Sequence, residues 1–152
     1  MKIALNFTRL AGIIILATLV QSFSTHSGGD HFQITVNGKM LLEHFVNTGQ
    51  KIQDVSFAAY KPSDVLAVQF SHCGEVGQAR ALKIKDASGK LLKEWKFDGT
   101  KEAVMRISMK EFTASLPKAG GASLFYASKE LPAGILLCRV LPVQSKKVVT
   151  AK

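Results

Sequence analysis

Residues 65–84 read VLAVQFSHCGEVGQARALKI, and this stretch decides the fold. Val65 to Cys73 is a strand-length run, apolar at most positions on both faces. Such a run predicts a central strand covered on both sides, or a long strand crossing the core. Gly74 to Gln78 then turns the chain. Arg80 to Lys85 returns as a second strand, with Leu82 and Ile84 inward and Lys83 and Lys85 outward by the two-residue period.

Upstream, Lys61-Pro62-Ser63-Asp64 is a turn in which proline presets φ at the second position. Ile52 to Ala59 alternates only roughly and predicts a weaker strand, after a turn at Asn47 to Lys51. His31 to Val46 predicts a hairpin around Asn37-Gly38, two residues that tolerate positive φ. In the register of a two-residue loop, Leu41 and Phe45 are expected on the face of Phe32 and Ile34, with Met40 and Leu42 on the other.

Downstream, Asp86 to Gly89 is a tight connection into a strand at Lys90 to Phe97, with Leu91, Trp95 and Phe97 expected on one face. A strand at Ala103 to Ser108 places Met105 and Ile107 inward. Ser108-Met109-Lys110-Glu111 has capping-box spacing, which predicts a short helix at 109–116 stopped by Pro117. Ala122 to Ser128 and Ile135 to Val143 complete the strands, separated by the turn Leu131 to Gly134.

The sum is about eight short strands at intervals of roughly 8–12 residues with turn signals between them. The fold class expected is all-β: a single antiparallel β-sandwich, immunoglobulin-like or jelly-roll-like, with one short helix. The sandwich domain spans 31–143, after a flexible lead-in at 25–30 and before a basic tail at 144–152.

Residues 1–24 have the form of an export signal. Lys2 and Arg9 are the positive flank, Leu10 to Val20 is the apolar run, and small residues near Ser22 and Ser24 suit cleavage. The apolar run is shorter than the ~20 residues that span a bilayer. Cleavage after Ser24 would leave 128 of the 152 residues. Two of the 20 basic and none of the 11 acidic residues would go, taking the formal charge from +9 to +7. A chain of that size suits one domain and needs no second core. The expected location is therefore the periplasm, cell surface or extracellular space, with no stable membrane span after cleavage. The lysine surplus is compatible with an acidic partner, and equally with a solvated surface.

The motifs for chemistry are sparse. Two cysteines in an exported chain permit a disulfide between Cys73 and Cys138, but both flanks are apolar, so two free structural thiols fit as well. His72-Cys73 is a soft donor pair suited to copper or zinc. Strand parity turns the two side chains apart unless the strand ends there, which Gly74 permits, and no third ligand stands at motif spacing. His72, Glu75 and Arg80 could cluster at one end of the sandwich, either to hold an anionic ligand bidentately or to brace the 74–79 turn. Trp95, Phe97, Phe125 and Tyr126 could stack sugars or bases, or fill the core. No nucleophile elbow, paired carboxylates or phosphate loop is present, and no metal or other cofactor is implied.

Ile84 to Lys90 (IKDASGK) and Leu131 to Ile135 (LPAGI) resemble the carboxy-terminal sorting domains of type IX secretion cargo, in which a D-x-x-G-K hairpin precedes L-x-x-G, the last strand and a lysine-containing end. The similarity covers roughly the last 70 residues of the sequence. The chain departs from that pattern by a helix and a strand between the two motifs, and no functional residue carries across.

The expected function is that of an exported, non-enzymatic binding or structural module. Its partner would be a protein, a polymer or a cell-surface component, and nucleic acid is not expected outside the cytoplasm. The alternatives are a metal-binding or thiol-redox protein using His72, Cys73 and Cys138, and a small-ligand carrier with a pocket between the sheets.

Overall fold

The computed structural model describes residues 29–46, 49, 51–98 and 102–142. The segment expected to be an export signal, most of the expected lead-in and the expected basic tail lie outside the described residues. No described helix is long and apolar enough to cross a membrane.

Among the described residues, nine strands form two sheets that pack face to face. The first sheet holds β1 (His31–Val36), β2 (Lys39–Phe45), β4 (Val65–Ser71) and β7 (Val104–Ser108), in the order β2-β1-β4-β7. The second holds β3 (Asp54–Val55), β5 (Arg80–Asp86), β6 (Leu91–Phe97), β8 (Ala122–Ala127) and β9 (Ile135–Val140), in the order β3-β9-β8-β5-β6. The all-β sandwich read from the sequence is the fold. One pairing departs from the antiparallel rule: β3 runs parallel to β9. It is also far shorter than the strand expected at 52–59. The chain leaves the sheet after Val55 and buries Phe57 in the core.

β4 is central, between β1 and β7, but it is covered on one face only. Leu66, Val68 and Phe70 point inward and are sealed, whereas Val65 and Gln69 stand exposed on the outer face. An antiparallel sheet can leave one face wet, so the apolar Val65 and Ala67 need no second cover. The core between the sheets is filled by Ile34, Phe32, Leu82, Ile84, Leu124 and their neighbours.

Two bulges correct the expected faces. Asn37 and Gly38 both have positive φ, as the turn requires, and Val36 faces Lys39. The register then shifts between Ile34 and Thr35, so Ile34 faces Leu42 rather than Leu41. One extra residue in β2 moves Leu42 and His44 inward and leaves Phe45 outside. A second shift, between Ile84 and Lys85, sets Leu91 opposite Lys85 and parts it from Trp95 and Phe97. Leu91 is accordingly exposed.

The helix, α1 (Met109–Ala114), closes one end of the sandwich. Ser108 Oγ accepts the Glu111 N–H, the expected first half of the capping box. The Glu111 carboxylate turns instead to the Trp95 indole N–H at 2.8 Å and to Lys93. The Met109 and Lys110 N–H groups are taken by the carbonyls of Asp64 and Pro62, so the 61–64 turn helps cap the helix. Met109 and Phe112 are buried, with Phe112 edge-on to Phe57.

Candidate functional site

β4 ends at Ser71, and the chain reverses at once. His72 and Glu75 exchange backbone hydrogen bonds of 2.8 and 2.9 Å around Cys73-Gly74. Both central residues have positive φ, +52° for Cys73 and +98° for Gly74. This is the two-residue hairpin turn usually written Asn-Gly, here built on Cys-Gly. Ser71 Oγ accepts the Gly74 N–H and steadies it.

The reversal lays the 74–79 loop back over His72. The imidazole Nε2 sits 3.0 Å from Tyr126 Oη and 3.2 Å from Ser128 Oγ. Nδ1 faces Asp30 at 3.6 Å, and the Glu130 carboxylate lies 4.0 Å from Nε2. Phe70 supports the group from below, stacked on Tyr126 with centroids 4.1 Å apart and near His72 at 4.8 Å. This stack joins the two sheets, since Phe70 is on β4 and Tyr126 on β8. Gly77 seals the top: a Cβ there would lie 2.5 Å from Tyr126 Oη and 2.7 Å from His72 Nε2.

The surroundings tune these groups. Burial raises the Tyr126 hydroxyl above its ordinary pKa, against the opposing Ser128 hydrogen bond and the Arg80 charge. The Ser128 hydrogen bond, above all, holds Glu130 below its usual range, aided by backbone N–H groups and His72. Glu130 also accepts the Gln78 N–H, and Lys129 N–H donates to the Gln78 carbonyl, so the 128–131 turn is zipped to the 74–79 loop.

The cluster expected from His72, Glu75 and Arg80 is not assembled in that form. Glu75 joins His72 through its backbone alone, and its side chain is exposed. Arg80 shares the inward parity of Leu82 and Ile84 and is 2% exposed. Its guanidinium donates to the carbonyls of Glu102 at 2.7 Å and Ala103 at 3.0 Å, tying β5 to the segment that enters β7. The partners that sequence reasoning missed are Asp30, Tyr126, Ser128 and Glu130. They come from remote segments, and Gly77 was the available signal of a close approach.

The disulfide between Cys73 and Cys138 is not formed, and both cysteines are free. Cys73 is exposed in the turn, and Cys138 is sealed in β9 opposite Leu124. Burial, then the Asp54 charge, pushes the Cys138 thiol up to about 12, which keeps it protonated and unreactive. His72 and Cys73 do approach one carboxylate, since Cys73 Sγ lies 3.9 Å from Asp30 Oδ1. No group of three donors suited to a metal ion occurs among the described residues.

Ser128, His72 and Asp30 stand in the order of a hydrolase relay. Their surroundings read as a clamp. Ser128 is 5% exposed, its Oγ already accepts the Leu131 N–H, and Tyr126 shares Nε2. A nucleophile needs an approach path and donors for an oxyanion, and the N–H groups of Ser128, Lys129 and Leu131 are already engaged within the loops.

The open surfaces lie outside the sheets, and they differ. On the four-stranded sheet the outward strand positions carry Glu43 and Arg106 as formal charges. Glu43 is held by His31 and Gln33, and Arg106 by Glu102. The five-stranded sheet presents Lys83, Lys85, Lys96 and Arg139 against Glu94 and Asp54, the latter 3.6 Å from Arg139, with Lys129 just beyond the end of β8. A concavity of about 460 Å³ opens there, lined by Ala81 and Ala127 together with Lys83, Lys96 and Lys129 among others. Ala81 pairs with Ala127 on one side and Lys96 on the other, so two small side chains make a floor between longer ones. Of the four aromatics considered, Tyr126 is in the core and Trp95 and Phe97 pack against it. Phe125 alone faces outward, with the Lys85 ammonium 4.6 Å from its ring centroid.

No protein-family model matches the chain, and no curated protein matches it either.

Proposed function

We propose that this chain is an exported, non-enzymatic binding module that acts outside the cytoplasm through the outer face of its five-stranded sheet. Export is supported by the Lys2 and Arg9 flank, the apolar run at Leu10 to Val20 and the small residues after it. The observation that carries the binding role is the one-sided placement of charge. Lys83, Lys85, Lys96 and Arg139 share one sheet face against Glu94 and Asp54, whereas the outward strand positions of the opposite sheet are neutral in sum. Glu94 sits 3.3 Å from Lys83 and 4.0 Å from Lys96, so one carboxylate serves two ammonium groups. Lys85 and Lys129 pair with no carboxylate among the described residues. Asp98, at the rim of the concavity, offsets part of the surplus.

The test is fractionation of the parent cells, followed by release with salt. The protein is expected outside the cytoplasm, shortened by about 24 residues, and bound to envelope or matrix material. Release at rising ionic strength, and weaker retention of a Lys85→Gln/Lys129→Gln variant, are expected because exposed charges are screened within about 10 Å at 0.1 M salt. A cytoplasmic protein, or turnover of ester or amide substrates lost in Ser128→Ala, would overturn the reading.

A further inference from the structure

The binding face has a chemistry of its own beyond net charge. Lys83 and Lys85 are two residues apart on β5, so their stems leave the sheet roughly 7 Å from each other. Arg139 lies across Ser123 from Lys85, two strands away and roughly 10 Å distant. The cations thus spread in two dimensions over a broad surface instead of following one groove. Between them lie apolar and polar groups: Phe125 is beside Lys83 in the register and Ala81 and Ala127 line the concavity, while Ser123 separates Lys85 from Arg139 and Glu94 bridges Lys83 and Lys96. The Lys85 ammonium over Phe125 is partly exposed, in the range where such a contact is weak and exchangeable.

Resting on the reading above, we propose that this face binds an acidic polysaccharide. Lys83, Lys85, Lys96 and Lys129 meet its anionic groups. Phe125 and the alanine floor seat the sugar rings between them. A ring that carries a carboxylate or sulfate offers both requirements in one unit: an apolar C–H face for the Phe125 ring, and a charge that draws Lys85 off that ring. A peptide polyanion offers the charge without the flat ring.

The purified full-length chain is titrated with polygalacturonate, with dextran as the neutral glycan, poly-L-glutamate as the non-sugar polyanion and phosphatidylglycerol vesicles as the lipid surface. Binding to polygalacturonate is expected to exceed binding to the other three. Phe125→Ala and Phe125→Leu are both expected to weaken it about tenfold, with Tm unchanged in the leucine variant. Lys85→Gln/Lys129→Gln is expected to weaken it at least as much and to flatten its salt dependence. If polyglutamate or the vesicles bind as tightly and the Phe125 variants bind like wild type, the face is a general polyanion surface and the glycan assignment fails. If no polyanion binds and the lysine variant changes nothing, the binding face itself is wrong.

Discussion

Replacing Gly77 with alanine sets two effects against each other. The φ of Gly77 lies outside the left-handed region, so an alanine backbone fits there. By itself that would stabilise the protein by about 0.4–1 kcal/mol, because the unfolded chain loses freedom. Against it stands the new methyl group, placed 2.5 Å from Tyr126 Oη and 2.7 Å from His72 Nε2. Flexible side-chain ends could move aside cheaply, but these two cannot. Tyr126 is fully buried and stacked on Phe70, and His72 is bounded by Tyr126, Ser128 and Asp30. Overpacking of this kind costs about 1–3 kcal/mol. Losing the Tyr126–His72 hydrogen bond adds about 1 kcal/mol. The net expectation for Gly77→Ala is a loss of about 1–3 kcal/mol, or a fall of roughly 4–10 °C in Tm. Thermal and urea unfolding followed by circular dichroism measure it. In a Tyr126→Phe background the nearest clash is gone, so the alanine should cost less, with a coupling of at least about 0.5 kcal/mol. An unchanged or raised Tm, or an equal cost in both backgrounds, would refute the packing of the 74–79 loop on His72.

Thiol titration should find two groups in denaturant and one in the folded protein near pH 8, because Cys73 is exposed and the buried Cys138 thiol is pushed up to about 12; zero thiols in denaturant would contradict the free cysteines. Arg80→Ala leaves the carbonyls of Glu102 and Ala103 without their charged donor and is expected to cost about 2–4 kcal/mol in urea unfolding. A loss under 1 kcal/mol, on the scale of ordinary surface substitutions, would show that this latch contributes little. The Asn37 side-chain bond, then the Lys61 N–H, hold Asp64 below its ordinary pKa. A depressed carboxylate contributes stability above its unfolded pKa and loses it as pH falls through the folded value. Wild type should therefore weaken as the pH drops below about 4. Asp64→Asn should weaken less over that interval, and identical acid profiles would count against the Asn37–Asp64 link.

Much of the fold was legible in the chain because its causes are local. Alternation placed Leu82, Ile84, Met105 and Ile107 inward, and all four are buried. Asn37-Gly38 made its turn, and Ser108 capped its helix. These choices depend on residues within one or two turns of each other, so the local order of residues alone could announce them. The faces of Leu42, Phe45 and Leu91 were misread for the opposite reason. A bulge is set by the partner strand, and one inserted residue inverts every side chain beyond it.

The site was harder to read than the fold. Local spacing pointed to His72 with Glu75 and Arg80, neighbours in sequence. Folding gave His72 instead to Tyr126 and Ser128, more than 50 positions away, and to Asp30, and it sent Arg80 to the carbonyls before β7. The stretch at 65–84 thus determined by itself that a strand, a reversal and a second strand would stand there, because pleat and turn chemistry are encoded residue by residue. Which side chains meet across the sheets, and that Lys96 and Arg139 join Lys83 and Lys85 on one outer face, was decided only by the tertiary structure. Strand order and register are properties of the whole chain, and no short segment carries them.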